Sequence, residues 1–285
     1  MVSIITREGK GAPITHAEMD TNLINIKAAI ESGATGSSGA SGRYAAMILA
    51  KTPVAYWQFN DKFGAAQYLD SSGNGYHLTP VGQMMTARGG VVGEPGRGLY
   101  TLGGAGSGCA TIPAALGTAW PASANFSIEA LIRPLAQSQG GYSSVFCIST
   151  ASSSTVGDIR LSLMRNGART PYISVGTTTN TTDGVAAYAT EEWASQDWLH
   201  IVSTSTGSLL SLYMNGDLVA QSTGVYNVPI IARPKGGVVC NPYTAAGGST
   251  DAPPYCVIDE VALYNAALTA DEVALHYRIA AGGSA

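Results

Sequence analysis

The chain has 285 residues, of which 45% are hydrophobic and 12% charged, with a net charge of −4. The apolar share supports a sizeable core without metal or disulfides, and a charged share about half the usual ~25% leaves a surface covered by Ser, Thr, Asn and Gly. An acidic balance with no basic cluster excludes phosphate-driven nucleic-acid binding, and no run reaches the ~20 apolar residues of a membrane-spanning helix.

Residues 1–31 read as a separate unit. Ile14-Thr15-His16-Ala17-Glu18-Met19 is a capping box, with Thr15 as N-cap and Glu18 three residues on, flanked by an Ile14/Met19 hydrophobic staple. Met19, Leu23, Ile26 and Ile30 then form one stripe of a helix too short to be stable alone in water. The stripe needs a partner, either the chain's own domain or another copy or larger assembly. Ser32–Gly42 (SGATGSSGASG) contains only Ser, Gly, Ala and Thr and reads as a flexible linker. A tethered helix suits attachment, so Ile14, Met19, Leu23, Ile26 and Ile30 are the expected assembly residues. The N-terminus lacks the apolar core of a signal peptide, and the expectation is synthesis in the cytoplasm, with export by another route.

Arg43–Ala50 predicts a short helix that stops before Lys51-Thr52-Pro53, because the residue before a proline avoids the α region. Lys51–Asn60 (KTPVAYWQFN) predicts a strand over Val54–Asn60, with Ala55, Trp57 and Phe59 on one face and Val54, Tyr56 and Gln58 on the other. Val257–Asn265 (VIDEVALYN) has the same character, and the two strands are expected to pair and close the domain. Asp70-Ser71-Ser72-Gly73-Asn74-Gly75 predicts an oxygen-rich turn. Residues 82–108 read as Gly-rich loops with short strands, and Ala110–Ile112 as a strand. In Asn125–Pro134 (NFSIEALIRP), Phe126, Ile128, Ala130 and Ile132 alternate with Ser127, Glu129, Leu131 and Arg133, and Pro134 is expected to stop the strand.

Further strands are predicted at Ser144–Ser149, Ile159–Met164 and, after an Asn166-Gly167 turn, Tyr172–Val175. Residues 176–197 read as a polar loop. Trp198–Thr204 and Ser208–Met214 follow, and Asn215-Gly216 makes a tight hairpin into Asp217–Gln221, the φ > 0 positions falling to residues that tolerate them. A Pro/Gly loop at 229–254 precedes the last strand. Thr269-Ala270-Asp271-Glu272 repeats the capping box with Leu268 and Val273 as staple, so a short helix ends the domain. Strands separated by short turn signals predict an all-β antiparallel sandwich.

No strand carries acids at i and i+2 to flank a glycosidic bond. Glu129 stands alone, Glu191 and Glu192 are adjacent in a loop, and Asp259 and Glu260 point to opposite faces. The histidines, His16, His77, His200 and His276, are scattered, and His200, in an apolar strand, reads as structural. No catalytic residue is assigned, and a non-enzymatic role is expected. Cys109, Cys147, Cys240 and Cys256 make no metal spacing; Cys240 and Cys256 either meet across the loop between them or stay as buried thiols. Tyr142, Tyr188, Trp193, Tyr226, Tyr243 and Tyr255 offer loop aromatics to a sugar, each with the alternative of a core or subunit contact, so no ligand-binding residue is chosen.

AKTPVAYWQFND, LDSSGNGYHL, FSIEALIRP, WLHIVSTSTGSLLSLYMNGDLVA and VIDEVALYNAALTADEVALHY, in this order within residues 43–279, resemble the laminin G-like, concanavalin A-type lectin/glucanase jelly roll. The resemblance implies a concanavalin A-like β-sandwich over residues 43–285. It also implies a structural calcium near the first and last strands, with Asp70, Asn74 and Asp259 in the oxygen ligand set; the alternative is that Asp70 and Asn74 only make the turn. GKGAPITHAEMDTNLINI resembles the opening segment of bacteriophage tail fibre and tail-tip proteins. Together the two resemblances imply a virion tail component: an attachment segment (1–31), a linker (32–42) and an outward lectin-like domain (43–285). Its implied partners are other virion tail proteins, further copies in a homotrimer and a host-surface glycan. The alternatives are a structural virion protein whose jelly roll mediates protein contacts and, third, a polysaccharide depolymerase.

Overall fold

The structure, a computed structural model, describes residues 40–82, 84–88, 97–102, 108–136, 142–149, 158–165, 168–176, 185–193, 197–224, 233, 235–239 and 255–282. Helix α1 (Ala40–Ala50) leads to β1 (Ala55–Trp57), β2 (Thr79–Val81), β3 (Met84–Arg88), β4 (Arg97–Leu102) and β5 (Cys109–Thr111). Helix α2 (Ala114–Ala119) is followed by β6 (Asn125–Ala136), β7 (Tyr142–Ser149), β8 (Ile159–Arg165), β9 (Tyr172–Val175) and β10 (Val185–Tyr188). The chain continues through β11 (Leu199–Thr206), β12 (Leu209–Met214), β13 (Asp217–Thr223), β14 (Lys235–Val238) and β15 (Tyr255–Tyr264) to helix α3 (Ala270–Ala280). Among the described residues the strands form two antiparallel sheets. The eight-stranded sheet runs β13-β12-β11-β6-β15-β4-β3 with β1 also on β15, and the seven-stranded sheet runs β10-β9-β8-β7-β14-β5-β2.

The two aromatic-rich strands do pair: Ala55, Tyr56 and Trp57 face Leu263, Ala262 and Val261. One edge of β15 carries β6; the other carries β4 along Tyr255–Ile258 and then β1. The predicted alternation decides which side each residue faces. Ala55, Trp57 and Phe59 of the first strand, and Phe126, Ile128, Ala130 and Ile132 of β6, all join the core between the sheets. There Trp120 stands edge-on to Phe126 and Phe146, at 5.3 and 5.7 Å between centroids, and Trp57 lies over Phe146. Each buried indole also finds an acceptor, Trp57 Nε1 donating to Tyr76 O and Trp120 Nε1 to Tyr264 O, as a polar handle in a core requires.

The opposite face of the eight-stranded sheet is buried too. Tyr56, Leu131, Val202, Tyr213, Ala262 and Tyr264 form a second cluster with Tyr44 and Ile48 of α1 and Val273, Ile279 and Ala280 of α3. The second capping box is complete: Glu272 N donates to Thr269 Oγ1 and Thr269 N to Glu272 Oε2, with Leu268 and Val273 buried as the staple. Ser127 on β6 fixes the approach to this helix, accepting from Leu268 N and donating to Ala266 O. The Asn215-Gly216 hairpin has both residues at positive φ, +54° and +86°. A Cβ on Gly216 would lie 3.1 Å from the Tyr277 ring of α3, so the glycine also admits the helix.

Several expectations are corrected. Helix α1 begins at Ala40, inside the stretch read as linker. β6 runs past Pro134 to Ala136: its β11 partners end at Ile132, and a bulge at Tyr255/Cys256 lies opposite, so the missing N–H falls where one side of the ladder is already open. The polar stretch 176–197 contains β10, and α2 was not predicted. Of the two alternatives left open for Cys256, the structure shows the buried free thiol, pushed up to about 12 chiefly by burial, while Cys240 lies outside the described residues. So do Ile14, Met19, Leu23, Ile26 and Ile30, most of the linker, and the Asn166-Gly167 turn.

Candidate functional site

A concavity lies where the chain leaves β1. A groove of about 730 Å³ is lined by residues 58–67, Leu69 and Ser71. Its backbone departs from strand geometry at Phe59, φ +50°, a conformation costly for a non-glycine residue. The Phe59 ring pays no solvent cost: it is buried, edge-on to Tyr68 at 5.6 Å. The loop is then closed on itself. The Asp61 carboxylate accepts from Leu69 N at 3.2 and 3.3 Å, and Tyr68 and Leu78 exchange both backbone hydrogen bonds at 2.9 Å. Asn60 Oδ1 accepts from Arg97 N, and Thr86 Oγ1 donates to Asp61 O, tying the loop to β3 and β4.

On this braced frame Phe63 and Leu69 stand out, 71% and 57% exposed. Around them are the amides of Gln58, Asn60 and Gln67, the Asp61 carboxylate and the Lys62 ammonium. Ser71 Oγ donates to Gln58 Oε1 and orients that amide. Burial raises Asp61 above the ordinary carboxylate range, against the lowering effect of the Leu69 amide. Exposed apolar faces beside amide and acid groups suit a ligand that presents C–H surfaces and hydroxyls together. No periodic pattern marks this loop in the sequence; its one readable signal is Phe63, a large aromatic between Lys62 and Gly64.

The predicted calcium residues have other uses. Asp70 Oδ1 accepts from Tyr56 N and Ser72 N, and Oδ2 from Ser72 Oγ and Tyr76 N, at 2.8–3.0 Å. All four lone-pair sites of the carboxylate are therefore occupied. Asn74 Nδ2 donates to Val54 O. Asp70 bridges Trp57 on the edge of β1 away from β15, whereas Asp259 sits within β15 and accepts from Glu260 N. Asp70 and Asn74 come together as a turn that clasps β1; Asp259 lies on the far side of that strand. So arranged, the three do not fit a calcium ion, and among the described residues no group of three or more acidic, His or Cys side chains is gathered for a metal.

Of the loop aromatics, Trp193 is a core residue, donating to Leu163 O under the Arg169 guanidinium. Tyr255 packs edge-on to Tyr100, and Tyr188 is exposed beside Tyr172. The Tyr142 side chain, Tyr226 and Tyr243 lie outside the described residues. Glu191 and Glu192 are exposed. The fold also gathers what looks scattered in the sequence: Glu129, His200 and His276 meet beneath α1 and α3, where none is exposed by more than 1%.

The profile of the concanavalin A-like lectin/glucanases superfamily matches residues 104–274, more than half of the chain. No curated protein matches the sequence. Among solved structures, domain 4 of AbnA, a GH43 extracellular arabinanase from Geobacillus stearothermophilus in complex with arabinotriose, is similar at TM-score 0.57 and 15% identity, over 79% of this chain and 98% of that one. Botulinum neurotoxin type C, whose cell entry depends on interaction with two ganglioside molecules, is similar at TM-score 0.57 and 14% identity, over 83% of this chain and 53% of that one. The binding domain of botulinum neurotoxin DC in complex with rat synaptotagmin II is similar at TM-score 0.52 and 12% identity, over 82% and 52%. This chain thus spans about half the length of the toxin fragments.

Proposed function

This chain belongs to the concanavalin A-like lectin/glucanases superfamily, and from that premise we propose that it is a non-enzymatic receptor-binding protein of a bacteriophage tail. It reads a host-surface glycan through the groove at residues 58–71. The observation that carries the reading is the braced loop that holds Phe63 and Leu69 out beside five polar side chains. A sugar ring lays its C–H face on such a surface while its hydroxyls meet amides and a carboxylate. The saccharide bound by the arabinanase domain and the gangliosides required by neurotoxin type C support a glycan as ligand. The virion setting rests on the sequence: the GKGAPITHAEMDTNLINI segment, the Ser/Gly linker and the low charge. In this reading Ile14, Met19, Leu23, Ile26 and Ile30 join three copies and dock them on tail proteins.

The test is binding of the full chain to an array of bacterial surface polysaccharides, with Phe63→Ala beside the wild type. Phe63 is exposed, so the change leaves the fold intact, and loss of its face should weaken binding at least tenfold, about 1.4 kcal/mol. Saccharide binding indifferent to Phe63→Ala and Leu69→Ala would move the site elsewhere. No saccharide binding by the oligomer would leave the structural virion protein as the better reading, and cleavage of a bound polysaccharide would establish a depolymerase.

A further inference from the structure

A buried polar cluster joins the helical layer to the eight-stranded sheet. Glu129 of β6 is fully buried, and its Oε1 meets the Tyr44 hydroxyl of α1 at 2.6 Å and His200 Nε2 of β11 at 2.8 Å. Its Oε2 accepts from the Tyr264 hydroxyl of β15 at 2.9 Å, and His276 Nδ1 of α3 lies 3.0 Å from both oxygens. A carboxylate only accepts, so each imidazole presents an N–H to it. The opposite nitrogens, His200 Nδ1 and His276 Nε2, are buried and find no hydrogen-bond partner among the described residues. Burial pushes the Glu129 carboxyl up, but the charge and hydrogen bonds of His276 and His200 outweigh it and hold the group well below the usual range.

We propose that this cluster is an acid-operated latch: uptake of a second proton by the His200–His276 pair releases the α1–α3 layer from the sheet while the sandwich stays folded. One proton on either ring is balanced by Glu129. A second leaves the site with a net positive charge and an N–H that has no acceptor, among the costliest things to bury. Among the described residues the other carboxylates near the cluster are Asp259 and Glu260 of β15 and Glu272 of α3. Burial holds Tyr44 on α1, Tyr56 on β1 and Tyr264 on β15 well above the usual tyrosine range, so all are neutral. Burial raises Glu260 of β15 to about 8, so it too is neutral in acid. Asp259 lies on the Tyr56 side, accepting from Glu260 N. On α3, Glu272 is engaged by Lys51, and Tyr277 stacks on the His200 ring.

The layer, and not the sandwich, is the part that yields. Glu129, His200 and Tyr264 sit on strands joined through the β11–β6 and β6–β15 ladders, whereas Tyr44 and His276 ride on the helices. Once α1 and α3 part from the sheet, both imidazoles reach water and hydrogen-bond through both nitrogens. Release also uncovers the apolar side of α1 and α3, including Tyr44, Ile48, Val273 and Ile279.

The test is amide hydrogen exchange of the full chain from pH 7 to pH 5, corrected for intrinsic rates. Freed imidazoles take up the second proton only below their ordinary value of about 6.5, so opening of α1 and α3 should stay nearly level from pH 7 to about 6.5 and rise roughly tenfold from there to pH 5. Amides of β6, β11 and β15 should stay protected. His200→Gln and His276→Asn keep an amide donor but do not titrate, and together they should flatten the dependence. Should that pair fail to fold, Tyr44→Phe serves: it removes one α1 tie and keeps both histidines, so exchange of α1 should rise at pH 7 and keep the same dependence on pH. Helix exchange without a pH slope, helices and strands opening together, or an unchanged slope in the folded double variant would each overturn the latch.

Discussion

Glu260→Gln should make the protein more stable as the pH rises, relative to the wild type. Glu260 occupies a bulge in β15, where the register against β6 shifts between Asp259 and Ala262, at φ +52°. Its buried carboxyl engages the Tyr56 hydroxyl and Gln58. Burial, the main cause, lifts the group from 4.5 to about 8, against the lowering effect of those two hydrogen bonds. The folded state therefore binds this proton more tightly than the unfolded chain. Below about pH 4.5 both states are protonated and the group is neutral to stability. Between pH 4.5 and 8 the unfolded chain ionises and the folded one does not, so stability falls as pH rises and levels off above 8. A lift of that size, at 1.36 kcal/mol per unit, corresponds to on the order of 5 kcal/mol. Glutamine keeps a hydrogen-bonding side chain of the same shape without the charge. Urea unfolding of both proteins at pH 4.5 and pH 8 should show near-equal stability at the lower pH and a gain of several kcal/mol for Glu260→Gln at the higher. A difference that does not change with pH would refute the reasoning.

Glu129→Ala removes the acceptor shared by Tyr44, His200, Tyr264 and His276; breaking such a buried network should cost about 3–5 kcal/mol, read as a drop in the thermal midpoint at pH 7. Thr269→Ala deletes the side chain that accepts from Glu272 N and should cost about 1 kcal/mol, with faster amide exchange confined to the first turn of α3. Gly236→Ala puts a Cβ 2.2 Å from Cys147 O at φ +127°. Because the obstacle is backbone, the β7–β14 ladder must shift, and the loss should exceed the ~1 kcal/mol typical of point variants in the same urea assay.

The candidate site was much less legible than the fold. The groove depends on where residues 58–71 settle against β3 and β4, through Asn60 with Arg97 N and Asp61 O with Thr86. None of these pairings leaves a periodic trace. Asp70 and Asn74 offer oxygens in the sequence, but the Asp70 carboxylate is taken up by the local turn and Asn74 joins it through its amide nitrogen, a use that the same residue types serve equally well.

Patterns that repeat over a few residues are legible in the chain before it folds. The alternation in NFSIEALIRP set which β6 side chains enter the core, because successive strand residues face opposite sides. The capping box at Thr269 set the start of α3, and Asn215-Gly216 set a hairpin by tolerating positive φ. Tertiary structure alone decided what is joined across long spans. Glu129 meets His200 and His276 from 71 and 147 residues away, because β6 lies between β11 and β15 and α3 folds back over them. It also decided that the outward face of the eight-stranded sheet, polar at Glu129 and His200, lies under two helices. Burial then gave an isolated acid and scattered histidines a common environment that no local spacing announces.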